Sequence, residues 1–295
     1  MTNFLNDPKI CISNSSNFIL ENHPTNYRAG MADEKDAEDK LEKNVKRISK
    51  YQEQLYAQGK QSLLIIFQAM DAAGKDSTIE NVMKGINPQG CHITSFKQPS
   101  KEELAHDFLW RCNKAIPEKG RIGIFNRSYY EEVLVCKVHE NHILGQQIEG
   151  INSVEDINET FWQGRYDSIN NFEKHLNKNG CRVVKFFLNV SKEEQKIRFL
   201  DRINNAEKNW KFSYGDIEER KLWDKYMAAY SAMITNTTNE INPWYIIPAD
   251  NKWFMQYCVS EILKDTLKSL NPTFPILADN QMSLLSKAII DLQNE

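Results

Sequence analysis

The chain has 295 residues, of which 41% are hydrophobic and 26% are charged, and this is the composition of an ordinary globular protein. Collagen-like, low-complexity and wholly disordered classes are therefore excluded. The formal net charge of −3 excludes a protein whose whole surface attracts nucleic acid, so any polyanion must be bound by a local cluster of lysine and arginine.

No signal for export or membrane insertion is visible in the sequence. The longest apolar run, at 63–67, is far shorter than the roughly 18 residues of a membrane helix. The first residues carry neither a basic stretch nor a continuous apolar run, so we expect no membrane partner and a cytoplasmic location. The 6 cysteines stand at wide, irregular spacings without a Cys-x-x-Cys pair, which favours reduced thiols over disulfides or a zinc site.

The first half of the chain begins with an arm and a helix. Residues 1–32 lack apolar periodicity and are expected to lie on the surface or to be partly ordered. Between 33 and 58 the apolar residues recur at steps of three and four, which predicts one helix that ends at Gly59. A buried strand at 62–67, a loop at 68–74 and a helix at 75–84 follow.

Strands and helices continue to alternate along the rest of the chain. The further predicted strands are 91–96, 121–125, 182–190 and 244–247. The further predicted helices are 101–115, one after 126–128, 153–179, one from 192, one from 216, 252–270 and 282–292. This alternation predicts an α/β fold with a parallel sheet flanked by helices. We expect one domain at 33–275 with a mobile lid at about 192–215, followed by a helical tail at 276–295.

The segment 69–76 follows a strand and opens a helix, which is the context of a phosphate-binding loop. Gly74 and Lys75 keep the second half of the pattern G-x-x-x-x-G-K-[ST], whereas Ala69 replaces its first glycine and Asp76 replaces its metal-binding hydroxyl residue. A lysine at the N-terminal end of a helix opposes the helix dipole unless an anion is bound there. Lys75 therefore favours a phosphate site over the alternative, a turn made of small residues because packing is tight.

Asp71 lies inside the same loop. A carboxylate among amides that face phosphate would repel the ligand unless a divalent cation lay between them. We therefore expect Asp71 to bind Mg²⁺ in place of the missing hydroxyl, with Asp76 as a second candidate. For Asp76 a purely structural role, in which its charge complements the helix dipole, is an equal alternative.

A second polar motif, Asn126-Arg127-Ser128, comes directly after the strand at 121–125. Ligands of open α/β sheets bind beyond the carboxyl ends of the strands, where these side chains emerge. Arg127 is therefore placed to neutralise charge on a phosphoryl group in transfer. The alternative is a surface arginine in a turn.

Seven segments match one family pattern: DAAGKD at 71–76, NPQG at 87–90, TSFK at 94–97, AHDFLWR at 105–111, IFNRSYYE at 124–131, KNWKF at 208–212 and PWYIIPAD at 243–250. Together they resemble the polyphosphate kinase type 2 family over roughly residues 33–270. The resemblance implies a P-loop kinase fold with a helical lid. It also implies transfer of a phosphoryl group between inorganic polyphosphate and a nucleotide with Mg²⁺, in a homo-oligomer.

The resemblance assigns roles to individual residues. It implies that the catalytic residues are Asp71, Lys75, Asn126 and Arg127, with Asp71 and Asp76 binding the metal. We expect phosphate binding by the loop residues Ala72, Ala73, Gly74, Asp76 and Ser77 and by the predicted lid residues Arg198, Arg202, Lys208 and Lys211, of which Lys208 and Lys211 belong to a family segment. For each lid residue, a place on the solvated face of an amphipathic helix is an equal alternative. We also expect nucleotide binding by Lys97, Arg111 and Glu131. Asn126 stands where many members have aspartate. The subgroup with Asn-Arg-Ser resembles enzymes that accept nucleoside mono- and diphosphates, which favours AMP and ADP, with guanine nucleotides left open.

Two other functions stay open at this point. An ATP-dependent nucleoside monophosphate kinase would differ by needing no polyphosphate. A regulator that binds nucleotide or polyphosphate without turnover is a second alternative, and the presence of Asp71, Lys75 and Arg127 weighs against it. His139 and His142 stand three residues apart rather than the four of a zinc protease motif, so we expect no metal site there. From the net charge of −3 we expect no nucleic-acid partner.

Overall fold

A single six-stranded sheet forms the centre of the computed structural model, which describes residues 4–295. The strands are β1 (Cys11–Ile12), β2 (Ser62–Ala69), β3 (Cys91–Ser95), β4 (Ile122–Asn126), β5 (Cys181–Asn189) and β6 (Trp244–Pro248). Their order is β1-β6-β5-β2-β4-β3, and every pair is parallel except β1 with β6. The expected α/β fold with a largely parallel sheet is confirmed.

The described part of the chain contains helices that cover the faces of this sheet, as parallel sheets require, and a last helix, Asp279–Gln293, whose residues from 280 onward are exposed. They are α1 (Glu34–Gln58), α2 (Lys75–Val82), α3 (Lys101–Leu104), α4 (Trp110–Asn113), α5 (Val135–Val138), α6 (Asn141–Leu144), α7 (Glu159–Lys178), α8 (Lys192–Asn204), α9 (Tyr214–Lys221), α10 (Trp223–Thr237), α11 (Lys252–Ser269) and α12 (Asp279–Gln293). Among residues 4–295, no helix combines the length and the apolar character needed to cross a membrane.

The central strand β2 positions the site. All of its residues are buried because β4 and β5 pair with its two edges and helices cover both faces. Phe67 is in register with Asn126 of β4, and Ala69 is in register with Leu188 of β5. The loop after β2 and the motif after β4 therefore emerge side by side at the carboxyl edge of the sheet.

The helix predicted at 101–115 is wrong. Two one-turn helices, α3 and α4, stand in its place. Between them, the side chain of Asp107 accepts a hydrogen bond from the backbone N–H of Leu109 at 2.9 Å, and the Trp110 N–H donates to the Asp107 carbonyl. An aspartate that binds nearby backbone in this way competes with helix formation, so the chain turns at Asp107.

Two other helix predictions are corrected in a similar way. Helix α7 begins at Glu159 rather than near 153, because the side chain of Asn158 caps it by accepting from Phe161 N–H. The chain after Ser128 forms a 3₁₀ turn over Tyr129–Val133 and then the short α5 and α6, not one helix. Asn158 thus starts α7 later than the apolar spacing suggests, and the Ser128 side chain accepts from the Tyr130 N–H at the start of the 3₁₀ turn.

The N-terminal arm contributes to the core. Phe4 and Ile10 are fully buried, and the Phe4 ring packs edge-on against Phe254 at 5.9 Å between centroids. Strand β1 pairs with the outer edge of β6, through Cys11 opposite Tyr245. The arm thus covers a sheet edge that would otherwise expose unpaired backbone groups.

Candidate active site

The loop between β2 and α2 has an unusual backbone. Ala72 and Gly74 both have left-handed conformations, with φ of 61° and 105°. A Cβ atom at Gly74 would lie 2.9 Å from Cε of Met255, the end of a flexible side chain that can shift, so position 74 needs glycine for its left-handed conformation. Ala72 carries a Cβ atom, and a non-glycine residue in the left-handed backbone region costs about 1–3 kcal/mol of folding free energy. Such strain is typical of a segment that is held in place for function.

Lys75 lies across this loop at the start of α2. Its Nζ donates to the carbonyl oxygen of Ala69 at 2.8 Å, at the end of β2. Burial lowers the pKa of the ammonium group, and the nearby Arg127 guanidinium adds to this effect, while the carboxylates of Asp71 and Glu131 oppose it. The cation is thus held against the loop by groups that a phosphate could replace.

The second motif joins the loop through two side-chain contacts. Arg127 donates from Nη2 to Oδ1 of Asp71 at 2.9 Å. Asn126 donates from Nδ2 to Oδ1 of Asp76 at 2.7 Å. Arg127 also has a left-handed backbone, with φ of 65°, which turns its side chain back over the sheet edge toward the loop. The two carboxylates predicted to bind metal are therefore each paired with one residue of the second motif.

The predicted lid supplies a row of cations from α8 and the turn that follows it. Arg202 lies 3.6 Å from Asp216, Lys208 donates to Asp201 at 2.6 Å, and the ammonium of Lys211 lies 5.0 Å from the centre of the Trp210 ring. The Trp210 side chain is 77% exposed, so this ring and its cation face solvent at the mouth of the cleft.

Arg198, one turn earlier on α8, is different because it is buried. Its guanidinium donates to the carbonyl oxygens of Ala73 at 2.7 Å and Ala249 at 2.5 Å, with longer bonds to Ala72 and Asp250. Its Nε donates to Glu194 at 2.8 Å. Arg198 therefore joins the phosphate loop to the end of β6.

A cavity of about 700 Å³ lies between the loop, the second motif and the lid. Its charged lining consists of Lys75, Lys97, Arg127, Arg198, Arg202, Lys208, Lys211 and Lys252, with Asp71, Asp76, Asp201 and Asp216. The predicted residues Ala72, Ala73, Gly74, Ser77 and Asn126 also line it. Cations outnumber carboxylates eight to four in this cavity, although the whole chain has a net charge of −3. The arrangement suits an anion with several charges.

Two of the predicted nucleotide-binding residues lie elsewhere. Arg111 is almost buried, donates to the carbonyl oxygen of Lys97 at 2.7 Å and lies 4.0 Å from Glu132, outside the cavity. Glu131 lines a second cavity of about 260 Å³, where burial raises the pKa of its carboxyl group. Asp71, Arg127 and Asp216 line both cavities and so form the wall between them.

Sequence reasoning missed two charged residues of the site. Lys252 is the first residue of α11 and lines the larger cavity. It carries the same signal as Lys75, a lysine that opposes the dipole of the helix it begins, and could have been found by that signal. Asp216 was interpreted only as a helix start, yet it faces both cavities, and burial together with the nearby Asp71 raises the pKa of its carboxyl group.

Asp71 and Asp76 are the two carboxylates that the phosphate loop and the start of α2 offer to a metal. Within residues 4–295 there is no cluster of three or more His, Cys, Asp or Glu side chains that could hold an ion alone. Mg²⁺ is commonly bound by one or two carboxylates with substrate phosphates completing its shell, so the residues present fit a cation that arrives with phosphate.

Comparison with known proteins gives a consistent result. The model of the family "Polyphosphate kinase 2" matches residues 31–275. The "ADP-polyphosphate phosphotransferase" of Rhodopseudomonas palustris is 52% identical over 235 residues, which are 80% of each chain. The "AMP/ADP-polyphosphate phosphotransferase" of Meiothermus ruber is 45% identical over 78% of this chain and 80% of the relative. The crystal structure of polyphosphate kinase 2 from Arthrobacter aurescens superimposes with a TM-score of 0.83 and 36% identity, covering 94% of this chain and 95% of the other.

Proposed function

The chain belongs to the polyphosphate kinase 2 family, and on this premise we propose that it transfers a phosphoryl group reversibly between inorganic polyphosphate and the nucleotides AMP and ADP. The observation that carries the proposal is the cavity in which eight cationic side chains face four carboxylates. Polyphosphate bears about one negative charge per internal phosphate, and a chain of net charge −3 can hold it only where cations converge. The names of the two relatives, one with ADP and one with AMP and ADP, support these acceptors.

Transfer takes place at the wall between the two cavities. Arg127 and Asp71 belong to both cavities, so phosphates that enter from either side meet at these two residues. Phosphoryl transfer needs positioning and charge neutralisation more than covalent help from the protein. In this proposal Arg127 and Lys75 provide the positive charge, and the lid cations hold the polyphosphate chain.

The family generally uses a divalent metal, and in this proposal Asp71 and Asp76 would hold Mg²⁺. When bound, Mg²⁺ would supply positive charge that neutralises phosphate. The role of Asp71 is then metal binding and orientation, not proton abstraction. The attacking phosphate oxygen of ADP is already largely ionised at neutral pH, since its second phosphate pKa is about 6. Release of Asp71 from Arg127 would leave that arginine available for the transferring group.

The direct test measures ATP formed from ADP and polyphosphate with no ATP added. The proposal expects turnover in the wild-type chain and a loss of about 10²–10³ in rate for Lys75→Ala, the typical effect of removing one preorganised charge. Lys101→Ala is the matched control, because Lys101 is also the first residue of a helix but is exposed and lies outside the cavity. Near-normal turnover in Lys75→Ala would remove the loop from the mechanism.

The same assay separates the alternatives. If AMP is phosphorylated with ATP as donor and polyphosphate has no effect, the chain is a nucleoside monophosphate kinase. If polyphosphate and nucleotide bind but no product forms in either direction, it is a regulator. Comparing AMP, ADP and their guanine counterparts as acceptors then gives the base selectivity.

A further inference from the structure

The N-terminal arm crosses the carboxyl edge of the sheet beside the lid. The side chain of Asn189, the last residue of β5, donates from Nδ2 to the carbonyl oxygen of His23 at 2.8 Å. Two residues further along the arm, the carbonyl oxygen of Thr25 accepts from the backbone N–H of Asp250 at 3.1 Å, just beyond the end of β6. The arm therefore bonds to the ends of two neighbouring parallel strands, at the edge where the candidate active site lies.

Asp250 connects the arm to the start of the lid helix α8. Its Oδ2 accepts from the hydroxyl of Thr25 at 2.6 Å, and its Oδ1 accepts from the backbone N–H of Ser191 at 2.8 Å. Ser191 is the N-cap of α8, and its own side chain accepts from the Glu194 N–H at 3.1 Å. Hydrogen bonds to an ionised acceptor are stronger than those between neutral groups. One carboxylate thus holds both the arm and the residue at which α8 begins.

Most of the cations in the larger cavity belong to segments that leave the sheet at these two strand ends. Lys252, the first residue of α11, follows β6 directly. The lid, which follows β5, carries Arg198, Arg202, Lys208 and Lys211, so these segments supply five of the eight cationic side chains described for the cavity. No described residue of the arm lines this cavity, so any effect of the arm on a substrate there passes through these segments.

We propose that the arm positions the donor-binding cations of the lid, and that Asp250, held by Thr25, is the positioning residue. The role of the arm rests on the proposed function, in which the lid cations hold the polyphosphate chain. The family model matches only from residue 31, so Thr25 joins a segment outside that match to the base of the lid. Small displacements of positioning groups have large effects on binding and catalysis. Loss of the Thr25 contact therefore weakens polyphosphate binding, while Lys75 and Arg127 keep their places in the phosphate loop and the second motif.

The test compares two arm variants that each lose one hydrogen bond from a hydroxyl to a carboxylate. Thr25→Val removes the bond to Asp250, whereas Tyr27→Phe removes the 3.0 Å bond from the Tyr27 hydroxyl to Asp7, which lies within the arm. Thr25→Ser keeps the hydroxyl and serves as the conservative variant. Polyphosphate of defined length is titrated into the full chain by calorimetry, and turnover with ADP is measured over the same polyphosphate range.

We expect Thr25→Val to raise the dissociation constant and the half-saturating concentration of polyphosphate about fivefold to tenfold, near the lower end of what one hydrogen bond to a charged group contributes. The kcat and the half-saturating ADP concentration should stay within about twofold, as should every value for Tyr27→Phe and Thr25→Ser, because their contacts to Asp250 are intact. In an Asp250→Ala background, Thr25→Val should weaken polyphosphate binding no further, since the arm acts through that carboxylate.

Four results would overturn the proposal. They are equal changes of polyphosphate binding in Thr25→Val and Tyr27→Phe, lower thermal stability of both variants with unchanged polyphosphate binding, full additivity of Thr25→Val with Asp250→Ala, and an equal rise in the half-saturating concentrations of ADP and polyphosphate. A wild-type chain that binds polyphosphate but forms no ATP from ADP would refute the proposed function alone. The calorimetric comparison of the variants would then still decide the role of the arm.

Discussion

Replacing Arg198 with methionine removes the group that joins the phosphate loop to the end of β6. The guanidinium donates to four backbone carbonyls, of which those of Ala73 and Ala249 accept the shortest bonds. Methionine has nearly the same reach but no donor, so these carbonyls lose their partner while most of the volume stays filled. The substitution therefore tests whether Arg198 binds phosphate, as its place in the predicted lid suggests, or holds the loop.

The magnitude follows from the burial of the group. The Arg198 side chain is only 6% exposed, so water cannot replace its bonds. Leaving a buried hydrogen-bond acceptor without its partner costs about 1–3 kcal/mol, so losing the two short bonds to Ala73 and Ala249 costs about 2–6 kcal/mol. For a chain of this size 1 kcal/mol shifts the unfolding midpoint by about 2–4 °C, so Arg198→Met is expected to lower it by about 4–24 °C.

Thermal unfolding followed by circular dichroism, without substrates, measures this shift. Arg202→Met is the matched control, since Arg202 lies one turn further along α8, is 24% exposed and contacts Asp216 at 3.6 Å. A partly exposed ion pair at this distance contributes about 0–1 kcal/mol to the free energy of unfolding, so the control should unfold within a few degrees of wild type. If Arg198→Met unfolds like wild type and instead only raises the half-saturating polyphosphate concentration, the structural role is refuted and the phosphate-binding role is preferred.

Three further outcomes are expected. Asp71→Asn should raise the Mg²⁺ concentration needed for half-maximal rate, because one metal-binding oxygen is lost; a shifted pH profile with unchanged metal dependence would instead indicate a general base. Neutralising Arg202, Lys208 and Lys211 together should raise the half-saturating polyphosphate concentration and flatten its salt dependence, since fewer counterions are exchanged, and an unchanged donor saturation across a salt series would place the polyanion elsewhere. Burial lowers the pKa of Lys75, so kcat should fall as pH rises through a value below that of an ordinary lysine; Lys75→Arg, whose side chain stays protonated, should remove this alkaline limb, and a limb that persists would assign it to another group.

Local sequence was sufficient for the strand, loop and helix that carry the phosphate site. The short apolar run 62–67 predicts a buried strand, Gly74 permits a left-handed turn, and Lys75 opposes its helix dipole unless an anion is near. Each of these signals depends on residues within a few positions of each other. They could therefore be interpreted before any tertiary contact was known.

Capping side chains limited the prediction of helices. The capping box at residues 100–103 predicts the start of a helix, which is expected to run to 115, but the Asp107 side chain binds the backbone beside it and divides the segment. A start signal does not fix where a helix ends, because an aspartate further along can bind the backbone and stop it. Asp107 is visible in the sequence, but whether its side chain faces solvent or binds the backbone depends on how the neighbouring segments pack.

The sequence by itself determined the fold class, the phosphate loop and the second motif, because periodicity and loop chemistry act over short distances. Only the tertiary structure decided how these parts meet. The parallel register that sets Phe67 opposite Asn126 brings Asn126 to Asp76 and Arg127 to Asp71, and the path of α8 buries Arg198 between the loop and β6. The same packing turns Arg111 away from the cavity and adds Lys252 and Asp216 to it. Which side chains face a cleft depends on strand register and helix path, and these are fixed by the burial of the whole core.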